Sequence, residues 1–338
     1  MGRTRRRLEA MTTLPEATVV RVDHVRPDPA ALAEPAARLR DGGLVAFPTE
    51  TVYGLGANAL DPAAVAGIFR AKGRPADNPL IVHLADPTDL PTIVREVPPL
   101  AADLVARWWP GPLTLVLDAH PSVPAITTGQ LPTVGVRVPA HPVARALIAS
   151  AGVPVAAPSA NRSGRPSPTS APHVVRDLGP TIDAIVDGGP CAVGLESTVV
   201  DARGSEPRVL REGAVTREDL DAAAPDPTTE ESAASPGTRY RHYAPACEVA
   251  VVDDVPTAAA VRMAGGQRVG AVAREGERLP PGTVRAGEYA DLATLAHRLY
   301  GALRAAEEAA VDVVLLPRVP EEGLGRAVAD RIARAAEG

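Results

Sequence analysis

The sequence predicts an α/β protein of two domains. The larger N-terminal unit, α/β with α+β character, is expected to carry a twisted open mixed sheet whose helices and loops form a basic concave site. A small Rossmann-like α/β domain follows it. Three observations predict this. At 338 residues the chain suits two domains of roughly 150 residues each. Short Val/Ile/Leu-rich runs alternate with helical segments from about residue 19 to 220, and again after 247. Between them, residues 221–235 are rich in Ala, Pro, Asp, Glu, Thr and Ser without periodicity and read as a linker. The expected divisions are a flexible tail over 1–18, a main domain over 19–220, a linker with a hinge motif over 221–246 and a small domain over 247–338.

In chain order, residues 43–47 read as a strand. Residues 62–71 read as a helix, because Asp61 offers an N-cap and Pro62 suits the first helical position. Residues 80–84 form the next strand, 100–108 a helix and 113–117 a strand. Further strands are expected at 134–138, 153–156, 184–186, 197–201 and 208–210, and His141 is placed to cap a helix beginning near Pro142. The run Trp108-Trp-Pro-Gly-Pro112 reads as core plus turn. In the second unit, 249–252, 269–272 and 311–316 are apolar strands, and 289–309 and 324–336 are amphipathic helices. No G-x-G-x-x-G fingerprint accompanies them, so nothing assigns that domain a nucleotide.

Composition narrows the function classes. Hydrophobic residues make up 45% but aromatics only 3%, so the cores must be aliphatic. The 29 glycines and 36 prolines stay below the roughly 25–30% share expected of low-complexity disorder. A net charge of −6 provides no global field for a nucleic-acid backbone. Cys191 and Cys247 stand far apart without metal-type neighbours, which argues against a disulfide framework or zinc site and fits a reducing cytoplasm. The Arg-rich first residues lack a following apolar segment and read as a tail or an upstream start, with Met11 as an alternative start. No apolar run approaches the roughly 18 residues of a membrane span.

Lys72 is the one lysine among 35 basic residues; the rest are arginine. A site that accepts a compact ammonium and rejects a planar guanidinium would explain the exception. Lys72 opens one of five polar stretches: PTETVYGLG (48–56), KGRPADNPLIVH (72–83), VRVP (136–139) around Arg137, APSANRSGRPSP (157–168), and finally EST (196–198) with VLREG (209–213). Small residues let the backbone approach a ligand, and loop amides form nests for oxyanions. Lys72, Arg74 and Arg211 would neutralise a polyphosphate, while Arg137 on a strand offers a bidentate fork for a carboxylate. Ser159, Asn161 and Ser167 would meet sugar and phosphate oxygens. Singly, each stretch also reads as ordinary structure: a turn after a strand, an ion-paired Arg, a hydrogen-bonded His83, a Glu196 that is either loop brace or ligand.

Together, in this order and spacing, the stretches resemble the YrdC-like family of threonylcarbamoyladenylate synthases. The motif SPGTRYRHYAP (235–245) extends the resemblance to the longer, two-domain form. The resemblance implies that L-threonine, bicarbonate or CO2, and ATP give threonylcarbamoyl-adenylate and pyrophosphate. The product then passes to a tRNA threonylcarbamoyl transferase complex. By match to the family motifs, Thr51, His83, Arg137, Ala157 and Ser197 would hold L-threonine. Lys72, Arg74, Asn78, Thr133, Ser159, Asn161, Ser167, Arg211 and Tyr240 would hold ATP. Lys72, Arg74 and Arg137 are the expected catalytic charges, with Mg2+ carried by ATP and no protein metal ligand. Thr133 follows a loop of unusual length, and Thr238-Arg239 stands where the family commonly has Met-Lys.

The expected chemistry needs no Ser-His-Asp arrangement. A carbamate oxygen attacks the α-phosphate, so charge neutralisation and positioning dominate the barrier. Tyr240 and its neighbours would close over the labile mixed anhydride. The alternative reading is a non-catalytic tRNA- or RNA-binding module gripping through Arg74, Arg162, Arg165 and Arg211. Against it stand the acidic balance and the lack of interleaved aromatics. Direct tRNA binding is left open.

Overall fold

The computed structural model describes residues 17–221 and 242–337, which build two sheets. The first is assembled from β1 (Thr18–Arg21), β2 (Val45–Pro48), β3 (Tyr53–Asn58), β4 (Ile81–His83), β5 (Leu113–Asp118), β6 (Thr133–Arg137), β7 (Val155–Ala156), β8 (Ala184–Asp187), β9 (Thr198–Asp201) and β10 (Arg208–Arg211). Their order across the sheet is β1-β8-β2-β3-β7-β4-β6-β5-β9-β10, mixing parallel pairs such as β4/β6 with antiparallel ones such as β2/β3 and β5/β6.

Helices cover both faces: α1 (Pro29–Arg40), α2 (Pro62–Lys72), α3 (Pro99–Trp108), α4 (Pro142–Ala151), α5 (Ala171–Leu178) and the short α6 (Arg217–Leu220). Side chains alternate along each strand. Val45 and Phe47 therefore pack with Leu32 and Leu39 of α1 and Leu147 of α4, while Ala46 joins the opposite core with Val65 and Ile68 of α2, Leu104 of α3 and Val174 of α5. Each buried Val, Leu or Ile contributes about 1.5–3 kcal/mol, so an aliphatic core compensates for the scarcity of aromatics.

The second sheet is parallel throughout, in the order β11-β14-β12-β13, from β11 (Glu248–Val252), β12 (Val269–Arg274), β13 (Val284–Tyr289) and β14 (Val313–Pro317). Helix α7 (Val255–Ala264) lies on one face against Val269, Ala271 and Leu315. On the other face, α8 (Leu292–Glu308) and α9 (Leu324–Ala336) pack against Val249, Val272 and Leu316. That second cluster continues into Val52, Leu195 and Tyr243, so α8 and α9 lie between their own sheet and the site loops of the first domain.

The expected elements occur within a few residues of their places, and helix 324–336 coincides with α9. Asp61 caps α2 by accepting from the amides of Ala63 and Ala64, and His141 caps α4 through Nδ1 at 3.2 Å from the Val143 amide. Elements that the pattern did not single out are β1, β3, β13, α1, α5, α6 and α7. In β3, the glycines of YGLGAN lower strand propensity, yet Gly56 is required there. A Cβ would lie 2.8 Å from both Phe47 and Val155. In α1, Pro29 and an internal Pro35 obscure the helix. The helix expected from residue 289 starts at Leu292, because Tyr289 ends β13 and Asp291 caps the helix by accepting from the Thr294 amide at 2.8 Å.

Candidate active site

The exits of the central strands converge on one cleft, whose inner cavity is about 60 Å³. The β2–β3 hairpin supplies Thr49, Thr51, Val52 and Gly54; the chain from α2 into β4 supplies Arg74, Pro79, Leu80, Ile81 and His83; β6 supplies Arg137. The loop after β7 adds Ala157, Pro158, Ser159 and Asn161, the approach to β9 adds Glu196 and Ser197, and β10 adds Arg211. His242 and Tyr243, at the end of the hinge motif, complete the wall.

Arg137 is the most constrained charge. It is buried, its Nη1 donates to Thr51 Oγ1 at 3.0 Å, and its Nη2 lies 2.8 Å from Glu50 Oε2. Thr51 is held in turn by Thr49 Oγ1 at 2.8 Å. Beside Arg137, His83 has Nδ1 3.2 Å from the Ile81 carbonyl and meets Phe47 edge to face at 6.2 Å between ring centroids. Burial, and then the Arg137 charge, push its pKa down to about 3. His83 is therefore a neutral imidazole at physiological pH.

The opposite side is built on backbone. Arg211 donates through Nε and Nη2 to the Ser197 carbonyl at 3.2 and 2.8 Å, and through Nη2 to Ser197 Oγ at 3.2 Å. Ser197 Oγ also meets Thr114 Oγ1 at 2.8 Å. Gly213 allows this close stacking, since a Cβ there would fall 2.3 Å from the Thr198 amide nitrogen. Arg74 donates to the Pro79 carbonyl at 3.1 Å. Lys72 lies behind the wall, 3% exposed, with its ammonium donating to the carbonyls of Ser159, at 2.5 Å, and Asn161. Burial, then the Arg74 charge, push its pKa well down, with Asp177 opposing. The Asn161 amide braces the same loop: Oδ1 accepts from Ser159 Oγ at 2.5 Å and Nδ2 donates to the carbonyls of Arg162 and Arg165 at 2.8 and 2.9 Å.

Nine of the residues singled out in the sequence thus line one cleft: Thr51, Arg74, His83, Arg137, Ala157, Ser159, Asn161, Ser197 and Arg211. Four stand behind or beside it. Lys72 is under the 157–168 loop. Asn78 is 1% exposed, and both its amide atoms lack a hydrogen-bond partner among the described residues. Ser167 is fully buried and donates to Glu196 Oε1 at 2.6 Å. Thr133 opens β6 opposite Asp118, four residues and about 13 Å of strand from Arg137. Tyr240 lies outside the described residues. Sequence reasoning did not single out Thr49, His242 or Tyr243; their position inside PTETVYGLG and SPGTRYRHYAP was the available signal.

Glu196 is the carboxylate on the wall, and it is a brace. It accepts from Ser167, from Tyr300 Oη at 2.8 Å and from Arg331 Nε at 2.9 Å. Burial opposes its ionisation, but Arg331, Arg211 and Ser167 outweigh that and hold its pKa at about 2.

Comparison with known proteins agrees with this geometry. Residues 37–213 match the Sua5/YciO/YrdC family model, described as telomere recombination, and residues 215–337 match the threonylcarbamoyl-AMP synthase C-terminal domain. The threonylcarbamoyl-AMP synthase of Bacillus subtilis is 44% identical over 91% of this chain and 93% of its own. That of Pyrococcus abyssi is 45% identical over 88% of this chain and 91% of its own. The crystal structure of P. abyssi Sua5 complexed with L-threonine superposes with a TM-score of 0.89 at 41% identity, covering 95% of this chain and 98% of that one. With both models matched in tandem and the likeness running through both sheets, the chain belongs to the Sua5/YrdC family in its two-domain form.

Proposed function

We propose that the protein is an L-threonylcarbamoyladenylate synthase, a nucleotidyltransferase that makes threonylcarbamoyl-AMP and pyrophosphate from L-threonine, bicarbonate or CO2, and ATP. One observation carries the reading: the site sets a carboxylate-type fork, Arg137 held by Thr51 and Glu50, against polyphosphate-type cations, Arg74 and Arg211, along one open cleft. The relatives' names and the L-threonine bound to P. abyssi Sua5 support it. A surface stripe of arginines, as an RNA-binding module requires, is a different arrangement from three cations buried in a cleft.

In this reading the threonine carboxylate docks on Arg137, with Thr51, His83, Ala157 and Ser197 around the side chain and amine. Neutral His83 adds no charge to repel the ammonium group before carboxylation. The triphosphate lies toward Arg74 and Arg211, with Ser159, Asn161, Ser167, Asn78 and Thr133 shaping the nucleotide end and Tyr240 arriving from the hinge. Lys72 acts first by pinning the 157–168 loop through two carbonyls, with its charge close behind the phosphates. Once carbamate and α-phosphate are in line, two anions must meet. Fixed cations lower that barrier because they need not reorganise during the step.

No group of three or more His, Cys, Asp or Glu able to hold a metal occurs among the described residues, and Glu196 already accepts from three donors. These residues do not furnish a metal site. Mg2+ is proposed to arrive on the ATP phosphates, which it prefers together with water. No helix among the described residues is long and apolar enough to cross a membrane, and both cysteines are free. A cytoplasmic enzyme of 19–220 and 247–338 joined by a 221–246 linker, passing its product to a tRNA threonylcarbamoyl transferase complex, is the reading we adopt.

The test is pyrophosphate release from purified protein supplied with ATP, Mg2+, L-threonine and bicarbonate, each omitted in turn. Release requiring both threonine and bicarbonate is expected. Release independent of either would break the threonine assignments and leave a general nucleotide hydrolase.

A further inference from the structure

The two largest fully buried side chains of the described residues are arginines, Arg304 on α8 and Arg331 on α9. Arginine is rarely buried unless paired, because its charge must be compensated on leaving water. Both of these leave the C-terminal domain and end on the other domain, Arg304 on helix α5 and the 157–168 loop, Arg331 on the segments before β9 and after β10. Arg304 forks onto Asp177 with contacts of 3.2 and 2.8 Å and also donates to the Pro166 carbonyl, beside Ser167. Arg331 donates through Nε to Glu196 at 2.9 Å and through Nη2 to the Glu212 carbonyl at 2.8 Å, next to Arg211. Its guanidinium also lies 5.5 Å from the ring centroid of Tyr243, which stacks on Tyr300 at 5.3 Å.

Glu196 makes this arrangement functional. It sits on the wall of a cleft otherwise supplied with cations, where a bare carboxylate would repel a polyphosphate. Arg331 and Tyr300, both from the C-terminal domain, occupy Oε2, while Ser167 occupies Oε1.

We propose that Arg331 is a positioning residue through which the C-terminal domain makes the cleft able to bind ATP: it neutralises and fixes Glu196, and with it the Ser167 and Arg211 loops. Arg331 touches no reacting atom. The inference rests on the proposed use of ATP in this cleft, and it gives the second domain a definite task that needs no nucleotide of its own.

The test is a charge-compensation cycle on the full-length protein, with ATP affinity measured directly by calorimetry beside pyrophosphate release and thermal melting. Arg331→Met strips Glu196 of its ion-pair partner, with the Arg211 charge and the Ser167 and Tyr300 hydroxyls remaining, so the ATP Kd is expected to rise by about tenfold while the threonine Kd moves less than about twofold. Adding Glu196→Gln removes the anion, and the double variant is expected to recover ATP affinity to within about threefold of the parent. A merely structural Arg331 would weaken both ligands together and would gain nothing specific for ATP from Glu196→Gln. Either result overturns the proposal, as does an unchanged ATP Kd in Arg331→Met.

If Arg331→Met does not fold, Tyr300→Phe carries the test, since it removes one donor from Glu196 and leaves the ring. It should weaken ATP by about two- to fivefold, and only while Glu196 is present. An equal effect with Gln at 196 refutes the proposal. Because ATP binding is read without the reaction, failure of the synthase reading would appear separately, as pyrophosphate release by the parent that ignores threonine and bicarbonate.

Discussion

The two ends of the cleft hold their arginines by different means. Arg137 is fastened by side chains, Thr51 and Glu50, that belong to the β2–β3 hairpin of the same sheet. Arg211 and Lys72 are fastened to backbone carbonyls of two loops, those of Ser197 and of Ser159 and Asn161. A fork held by side chains of the short 49–52 turn, between two paired strands, has little freedom to move. A cation fixed by a loop is only as well placed as the loop. The C-terminal domain sends its buried arginines, Arg304 and Arg331, to the second end, and meets the first through apolar packing on Val52.

The largest break in this comparison is expected at the rigid end. Arg137→Lys keeps a charge beside Glu50, so the buried carboxylate stays compensated, but it loses the planar fork. Threonine affinity should fall by about thirty- to a hundredfold, equivalent to about 2–3 kcal/mol, with the ATP Kd within about twofold. Calorimetric titration of each ligand in turn separates the two. Equal losses for both ligands would show that the ends are not independent.

At the loop end, Lys72→Arg is the sharper probe. The ammonium occupies a gap between two carbonyls, 3% exposed, and a guanidinium is too wide for it. Overpacking there should cost about 1–3 kcal/mol, seen as a lower melting temperature. ATP affinity should fall by about tenfold as the 157–168 loop shifts, while threonine affinity holds. A variant as stable as the parent would leave the survival of a lone lysine without a structural reason.

Much of this was legible because it is local. Asp61 capping α2, His141 capping α4 and the motif residues that line the cleft each follow from neighbours in sequence. What stayed hidden is long-range or masked. The Glu196–Arg331 contact joins residues 135 positions apart, and in a chain where almost every basic residue is arginine nothing marks Arg331 out. β3 is obscured by the glycines its packing demands, and α1 by its prolines. Lys72 stands out by composition, but its immediate partners are carbonyls, which composition cannot reveal.

The smallest expected effect concerns protons. His83 in the folded protein takes up a proton only near pH 3, whereas an unfolded histidine does so near 6.5. Between those values the unfolded state binds more protons, so this group's contribution is complete above about pH 6.5 and is lost as pH falls toward 3. His242, at about 3, His173, at about 4, and His141 are lowered chiefly by burial and act in the same direction. Stability should therefore decline from pH 6 to 5, before most carboxylates titrate, and His83→Gln should remove roughly a quarter of that slope. Melting temperature against pH measures it. The same neutrality predicts that threonine affinity in the parent stays level from pH 6 to 7.5. An inflection near 6.5 that disappears in His83→Gln would mean the imidazole titrates in the folded protein. The rigid end would then carry a switchable charge in place of a fixed one.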